Sequence, residues 1–291
     1  MSKLSEALKS GKFIITSEVG PPKGINMDAC LDEAKHFGEK VTAVNVTDIQ
    51  SAVMRVGSLA TCIKLKERGY EPIMQVVCRD RNRLSLQSEF LNAAIFGIEN
   101  ILCLTGDHQS LGDHPQCKGV FDLDSVQLIA AAKGLMEGKD IAGNKLDGSP
   151  NFLLGGVVSP CLEPVELQIM KMEKKIRAGA QFIQTQSIFE VDKFRQFVDK
   201  VRTQGITTPI LDGIIILKSV GMARFMNENV AGVFVPDDMI KEVKETKDKL
   251  AKGVEIAARI IREIKPHCQG IHIMPLGLGH LVPEIIKQAG L

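Results

Sequence analysis

Eight short, almost continuously apolar runs, separated by stretches long enough for a helix, limit what this chain can fold into more than any other feature. They lie at residues 13–19, 43–48, 72–78, 101–107, 152–159, 182–189, 209–217 and 270–277, reading FIITSEV, AVNVTD, PIMQVVC, ILCLTGD, FLLGGVVS, FIQTQSIF, PILDGIIIL and GIHIMPLG. Strands buried on both faces require such unbroken runs, and they occur where a parallel sheet is covered by helices. The stretches between them, among them RVGSLATCIKLKERG, LSLQSEFLNAAIFG, SVQLIAAAKGLMEG and VELQIMKMEKKIRAG, have amphipathic helical character and stop at Gly69, Gly97, Gly138 and Gly179. Glycine is the usual residue just past a helix end.

Eight regular βα units in 291 residues, with no dinucleotide-binding glycine fingerprint, predict an α/β fold, a single-domain (β/α)8 TIM barrel spanning residues 1–291. An open doubly wound sheet is the alternative. Two segments exceed the minimal unit. A polar loop at 108–119 follows the fourth run, where barrel ligands bind. A long charged helix at 237–265, before the eighth run, is expected to serve packing or an interface.

Composition narrows the function. Lys plus Arg number 36 against 35 Asp plus Glu, and there is no Trp and one Tyr. No bulk field or aromatic platform is present for nucleic acid, so the ligand is expected to be a small molecule. No apolar run reaches spanning length, and the start, MSKLSEALKSGKF, reads as a short polar helix without a signal-peptide core, so a cytoplasmic protein off the membrane is expected. Seven scattered cysteines without a CxxC pair read as reduced thiols and argue against a metal or iron–sulfur site in the chain.

A barrel places its chemistry at the carboxyl ends of its strands. The polar residues there are Glu18, Thr47, Asp48, Gln75, Asp107, Gln184, Gln186 and Lys218. Glu18, in TSEVGPPKG, runs into a rigid Pro21-Pro22 turn and is a candidate general acid, or else a carboxylate bonded to loop amides. Asp107 closes LTGD, where Gly106 lets backbone approach a ligand, and it reads equally as a turn or cap residue. Gln184 and Gln186 alternate onto one face of the sixth strand, poor core filling and suited to a polar heterocycle. His36 and His267 read as surface positions, and His108, His114, His272 and His280 as structural or capping residues. The PLGLGH turn at 275–280 is a weak phosphate-loop signal.

Taken together, EVGPP with Glu18, Thr47, LTGD ending at Asp107 and the AGAQFIQTQSIFE segment around Gln186 resemble the methylenetetrahydrofolate reductase family over residues 13–291. The resemblance implies flavin at the barrel mouth, FAD by family frequency with FMN as the alternative. Hydride would pass from NADH or NADPH to flavin and on to methylenetetrahydrofolate in ping-pong fashion. It makes Glu18 and Asp107 catalytic, Glu18 as the acid toward folate N10, and gives Gln186 and Asp107 substrate contacts. It assigns cofactor contacts to Thr47, Gln75, Thr105, Gly106, Asp107, Asp122 and Lys175. Gln75 stands where the best-known bacterial members have histidine, Thr105 and Leu278 where they have arginine, Gln168 where they have aspartate and Gly155 where they have tyrosine. Such variants resemble the acetogen-type enzyme, which implies a small zinc and iron–sulfur partner subunit delivering electrons, and an oligomer. The alternatives are a flavin subunit active only with that partner and a non-redox pterin or methyl-carrier binding barrel.

Overall fold

The computed structural model describes residues 1–291, and its eight parallel strands close into a barrel in the order β1 to β8. The strands are β1 (Ile14–Val19), β2 (Ala43–Val46), β3 (Pro72–Val77), β4 (Asn100–Leu104), β5 (Leu153–Val158), β6 (Phe182–Ser187), β7 (Ile210–Ile215) and β8 (Gly270–Met274). Each lies within the apolar run expected for it except β4, which starts one residue earlier at Asn100, and β8 closes on β1 through the pairs Ile14–Gly270 to Ser17–Ile273. The fold class read from the alternating pattern therefore holds.

Helices surround the strands, the first beneath the barrel floor and the rest around its outside. They are α1 (Lys3–Lys9), α2 (Asp28–Lys35), α3 (Ser58–Glu67), α4 (Arg83–Ile95), α5 (Ser125–Met136), α6 (Val165–Ala178), α7 (Val191–Thr203), α8 (Val220–Asn229), α9 (Asp237–Glu245), α10 (Lys249–Ile264) and α11 (Val282–Gln288). No helix is long and apolar enough to cross a membrane. The expected long helix at 237–265 is two: Thr246 is extended (φ −81, ψ 148) and the chain restarts at Asp248, whose side chain caps α10 by accepting from the Ala251 N–H. An N-cap aspartate supplies the acceptor that the first free N–H groups lack, so the break has a local cause. A bidentate Arg259–Glu242 pair, 2.7 and 3.1 Å, joins the two pieces.

Inside, the barrel is filled in tiers of different chemistry. At the amino-terminal end Ile14, Ala43, Ile73, Leu102, Leu153, Phe182 and Leu211 form an apolar plug completed by Leu4 of α1. The segment expected as a merely polar helix therefore also stoppers the barrel floor, anchored by Ser2 Oγ donating to Asn100 Oδ1 at 2.6 Å. Above the plug the lining turns polar, with Thr16, Asn45, Gln184 and His272 buried. Outside the strands a larger apolar cluster packs the sheet against the helices.

One carboxyl is misplaced in that outer layer. Asp212 of β7 is fully buried, and burial pushes its pKa well above the usual carboxylate range against the opposing pull of Cys268, Thr185 and Arg202. A carboxyl whose pKa is raised on folding stabilises nothing once ionised: its favourable state is complete below the unfolded value near pH 4 and is lost as pH rises toward the folded value. Asp212→Asn should leave the melting temperature unchanged below about pH 4 and raise it at pH 7 by about 2–4 °C, the shift that ~1 kcal/mol makes in a chain of this size. Thermal melts of both proteins across pH would show the curves parting between those points, and curves that stay parallel would refute a neutral Asp212.

Candidate functional site

A cavity of about 390 Å³ opens at the carboxyl ends of β2 to β6, within the range of small-molecule sites. Gln75, Thr105, Gly106, Asp107, Lys175 and Gln186 line it together. Asp48, Arg79, Gln168 and Lys171 also line it, and of these Arg79 and Lys171 are residues that sequence reasoning missed. Thr47, Glu18 and Gln184 are buried close by without lining it, Lys218 is exposed away from it, and Asp122 is engaged by Arg83 through its backbone N–H and guanidinium at 2.8–2.9 Å.

The strand ends shape this wall. Gly106 has φ +92, and a Cβ there would meet Val77 and Arg79 at 3.2 Å, so the chain turns against β3 only because the residue is glycine. Thr105 turns its hydroxyl to the Ser125 N–H at 3.2 Å, bringing the first turn of α5 to the cavity edge. At β6 the pairing with β7 shifts register between Gln184 and Ser187. The irregularity is held by Thr185 Oγ1, which accepts from the Gly213 N–H at 2.9 Å and donates to the Gln186 carbonyl at 2.7 Å. Such irregularities re-aim side chains, and here Gln186 faces the cavity. Gly155, on β5, leaves space that the Phe182 ring occupies: a Cβ there would meet it at 2.3 Å.

Arg79 is the pivot of the wall. Although 1% exposed, it donates to three loops at once: Nη1 to the Asp107 carbonyl (3.2 Å), Nη2 to the Ile49 carbonyl (3.0 Å), and Nε and Nη2 to the Asp80 carboxylate at 2.8 and 2.7 Å. Ile49, Ser51 and Ala52 hold positive φ without being glycine, a conformation kept only where the surroundings impose it. The loop after β4 is tied over them. Asp113 accepts from Lys23 at 2.6 Å and from the Met54 N–H at 2.9 Å, and the Lys23 bond leads the groups holding its carboxyl below the usual range. Asp48 pairs with Arg81 and accepts from the Val77 N–H at 3.0 Å, while burial pushes its pKa up against that pull.

Cationic groups collect at the other side. Lys175 is half-buried and donates to the Val157 carbonyl, and burial, followed by the neighbouring Lys171 ammonium, lowers its pKa. An anion would relieve that arrangement. Two buried acceptors in the region, Thr47 Oγ1 and Gln184 Oε1, have no partner.

Behind the wall runs a chain of side-chain contacts. Gln75 Nε2 donates to Asn45 Oδ1 (3.5 Å), Asn45 Nδ2 faces His272 Nδ1 (3.3 Å), and His272 Nε2 faces Glu18 Oε2 (3.4 Å). Thr16 Oγ1 also lies 3.0 Å from His272 Nδ1. His272, expected to be structural or capping, is thus 4% exposed inside the barrel and against the candidate acid. The signal was available: Gly270, His272 and Met274 alternate in β8, and the strand's inner face is the one His272 shares with the plug-filling positions. His108 caps its own turn, accepting from the Ser110 N–H.

Residues 3–290 match the profile of the family described as methylenetetrahydrofolate reductase. Methylenetetrahydrofolate reductase (NADH) 1 of Arabidopsis thaliana is 26% identical over 314 residues, covering 100% of this chain and 50% of its own length. The enzyme of the same description from Zea mays is 32% identical over 228 residues, covering 74% of this chain and 37% of its own length. The chain thus spans about half the length of the Arabidopsis relative. Among solved structures, a Clostridium thermocellum protein described as binding two copies of 5-methyl-5,6,7,8-tetrahydrofolic acid superposes with a TM-score of 0.69 at 16% identity, over 99% of this chain and 98% of that one.

Removing the pivot tests the wall directly. Arg79→Lys keeps the charge but cannot bridge three loops, so stability should fall by about 2 kcal/mol. The amides of residues 49–52 and 107–113 should exchange hydrogen faster than those of the strands. Uniformly accelerated exchange would mean that Arg79 supports the fold as a whole rather than these loops.

Proposed function

Because the chain belongs to the methylenetetrahydrofolate reductase family, we propose that it reduces 5,10-methylenetetrahydrofolate to 5-methyltetrahydrofolate with a bound flavin, Glu18 serving as general acid. The observation that carries this reading is the buried Glu18 carboxyl, 7% exposed at the end of β1, linked through His272 and Asn45 to Gln75 on the cavity wall. The folate-binding neighbour of the same fold supports the substrate class.

The residues present fit a flavin. The cavity has a polar wall in Gln75, Thr105 and Gly106, a close backbone approach at Gly106, and a cationic corner of Lys171 and Lys175 beside the start of α5. Helix starts and ammonium groups are where phosphate binds. Gln75, Thr105, Gly106 and Asp107 would hold the ring system, Lys175 the phosphate end, and Thr47 has an unspent buried hydroxyl to offer. When bound, the flavin supplies the hydride. Electrons would reach it from NADH or NADPH, or from a partner subunit, in a cytoplasmic enzyme.

The chain's own residues supply the rest. Reduction needs the five-membered ring of the substrate opened, and Glu18 would do this by donating its proton to N10, leaving a cationic iminium carbon. Asp107 carries a carboxylate on the cavity wall that favours this cation over the neutral ring. Gln186, whose Oε1 accepts from the Ser187 N–H at 3.1 Å, presents its amide N–H groups to acceptors on a pterin.

The test is anaerobic. Protein reduced with dithionite and mixed with methylenetetrahydrofolate should regain oxidised flavin absorbance while methyltetrahydrofolate forms. Protein purified gently without flavin, or reduced flavin indifferent to the folate, would overturn the reading. Glu18→Gln should keep flavin and its reduction yet lose 10²–10⁴-fold in folate reduction, because only that half-reaction needs the proton. Lys175→Met should retain less flavin after gel filtration, read from the ratio of flavin to protein absorbance.

A further inference from the structure

The contacts behind the cavity wall assign a job to a residue that neither the motif pattern nor the cavity lining singled out. We propose that Asn45, oriented by Gln75, is a positioning residue that fixes the tautomer of His272, so that the ring proton sits on Nε2 and points at Glu18. The role assigned to Glu18 in this inference rests on the proposed folate reduction; the tautomer itself does not.

The argument follows the donors. Gln75 Nε2 donates to Asn45 Oδ1, which spends the Asn45 oxygen and turns its Nδ2 donor toward His272 Nδ1 at 3.3 Å. A nitrogen facing an amide N–H must accept, so Nδ1 carries no proton. Thr16 Oγ1 lies 3.0 Å from the same nitrogen and donates to the Ile271 carbonyl at 3.3 Å, so the Asn45 amide is the donor that decides the tautomer. A neutral imidazole then has its one N–H on Nε2, 3.4 Å from Glu18 Oε2. All of this lies in a water-poor interior, with Thr16 and Asn45 0% exposed, where an electrostatic contact counts for more than at the surface.

The chemical consequence concerns the carboxylate left behind when Glu18 gives up its proton. A donor already aimed at that oxygen stabilises the carboxylate as it forms, with no rearrangement at the moment of transfer. The other tautomer would present a bare nitrogen lone pair to the nascent carboxylate and oppose the step. Asn45 pairs with Glu18 across β1 and β2 but does not line the cavity; its side-chain hydrogen bonds go to Gln75 and His272, and through His272 they reach the carboxyl.

The test uses the flavin-loaded protein labelled with ¹⁵N-histidine, with His272 among six histidines assigned by the signal missing in His272→Gln. Long-range ¹H–¹⁵N spectra should show His272 protonated at Nε2 and unprotonated at Nδ1. A proton on Nδ1 in the native protein overturns the proposal. Asn45→Leu, close in size and without a donor, should populate the second tautomer and slow folate-dependent reoxidation of reduced flavin about tenfold, with flavin content unchanged. Should the leucine variant fail to fold, Asn45→Asp puts an acceptor of the same size against Nδ1 and should drive the proton onto it. A variant that keeps the native tautomer, or that changes tautomer while keeping the native reoxidation rate, overturns the positioning role. If native protein shows the Nε2–H form but never reacts with folate, the proposed function fails and the tautomer assignment stands.

Discussion

Polar groups placed inside a closed barrel must satisfy one another, and the cavity wall depends on how this barrel meets that demand. Strand geometry gives every second residue to the interior, and a fully apolar filling is available at the floor, where Leu4 and seven strand residues achieve it. One tier higher the chain spends interior positions on Thr16, Asn45 and His272 instead. A buried amide or imidazole without a partner costs on the order of 1–3 kcal/mol, so these residues can be kept only as a connected set. Their connection fixes orientations: Thr16, Asn45 and Gln75 leave His272 one edge free, and that edge meets Glu18.

The mouth is built on the opposite plan. Its loops have few apolar contacts to hold them and are bound by charge-assisted bonds: Arg79 beneath, spanning Ile49, Asp80 and Asp107, and Asp113 above, spanning Lys23 and Met54. The buried member is the stronger tie, since a guanidinium shielded from water keeps its attraction to carbonyls while the exposed Lys23 pair is screened. The strained turn at Ile49 to Ala52 persists between the two. Rigid tiers below and bonded loops above thus give a cavity whose walls are set before a ligand arrives.

How much of this the sequence disclosed follows from which interactions are local. The strands were legible because burial on both faces writes itself as continuous apolar runs, and the helix ends because glycine marks them. The Asp248 cap that splits 237–265 was also local, and was passed over because the charge pattern on either side continues at helical spacing. Glu18, Asp107 and Gln186 could be picked out as strand-end polar residues, yet no pattern states that Asp107 and Gln186 line one cavity while Glu18 is buried beside it. His272 and Arg79 were missed for a common reason: their partners are 254 residues away for His272 with Glu18, and 28 and 30 away for Arg79 with Asp107 and Ile49. Only closure of the barrel and the folding of its loops bring them together.

Gln75 belongs to the same network, and its side chain carries no titrating group. A histidine there can donate, accept or titrate, and its state would change with the charge of whatever fills the cavity. A glutamine amide does none of this switching; it keeps one donor and one acceptor at every physiological pH. Because Gln75 both lines the cavity and orients Asn45, an amide at this position separates the protonation state behind the wall from the charge of whatever occupies the cavity.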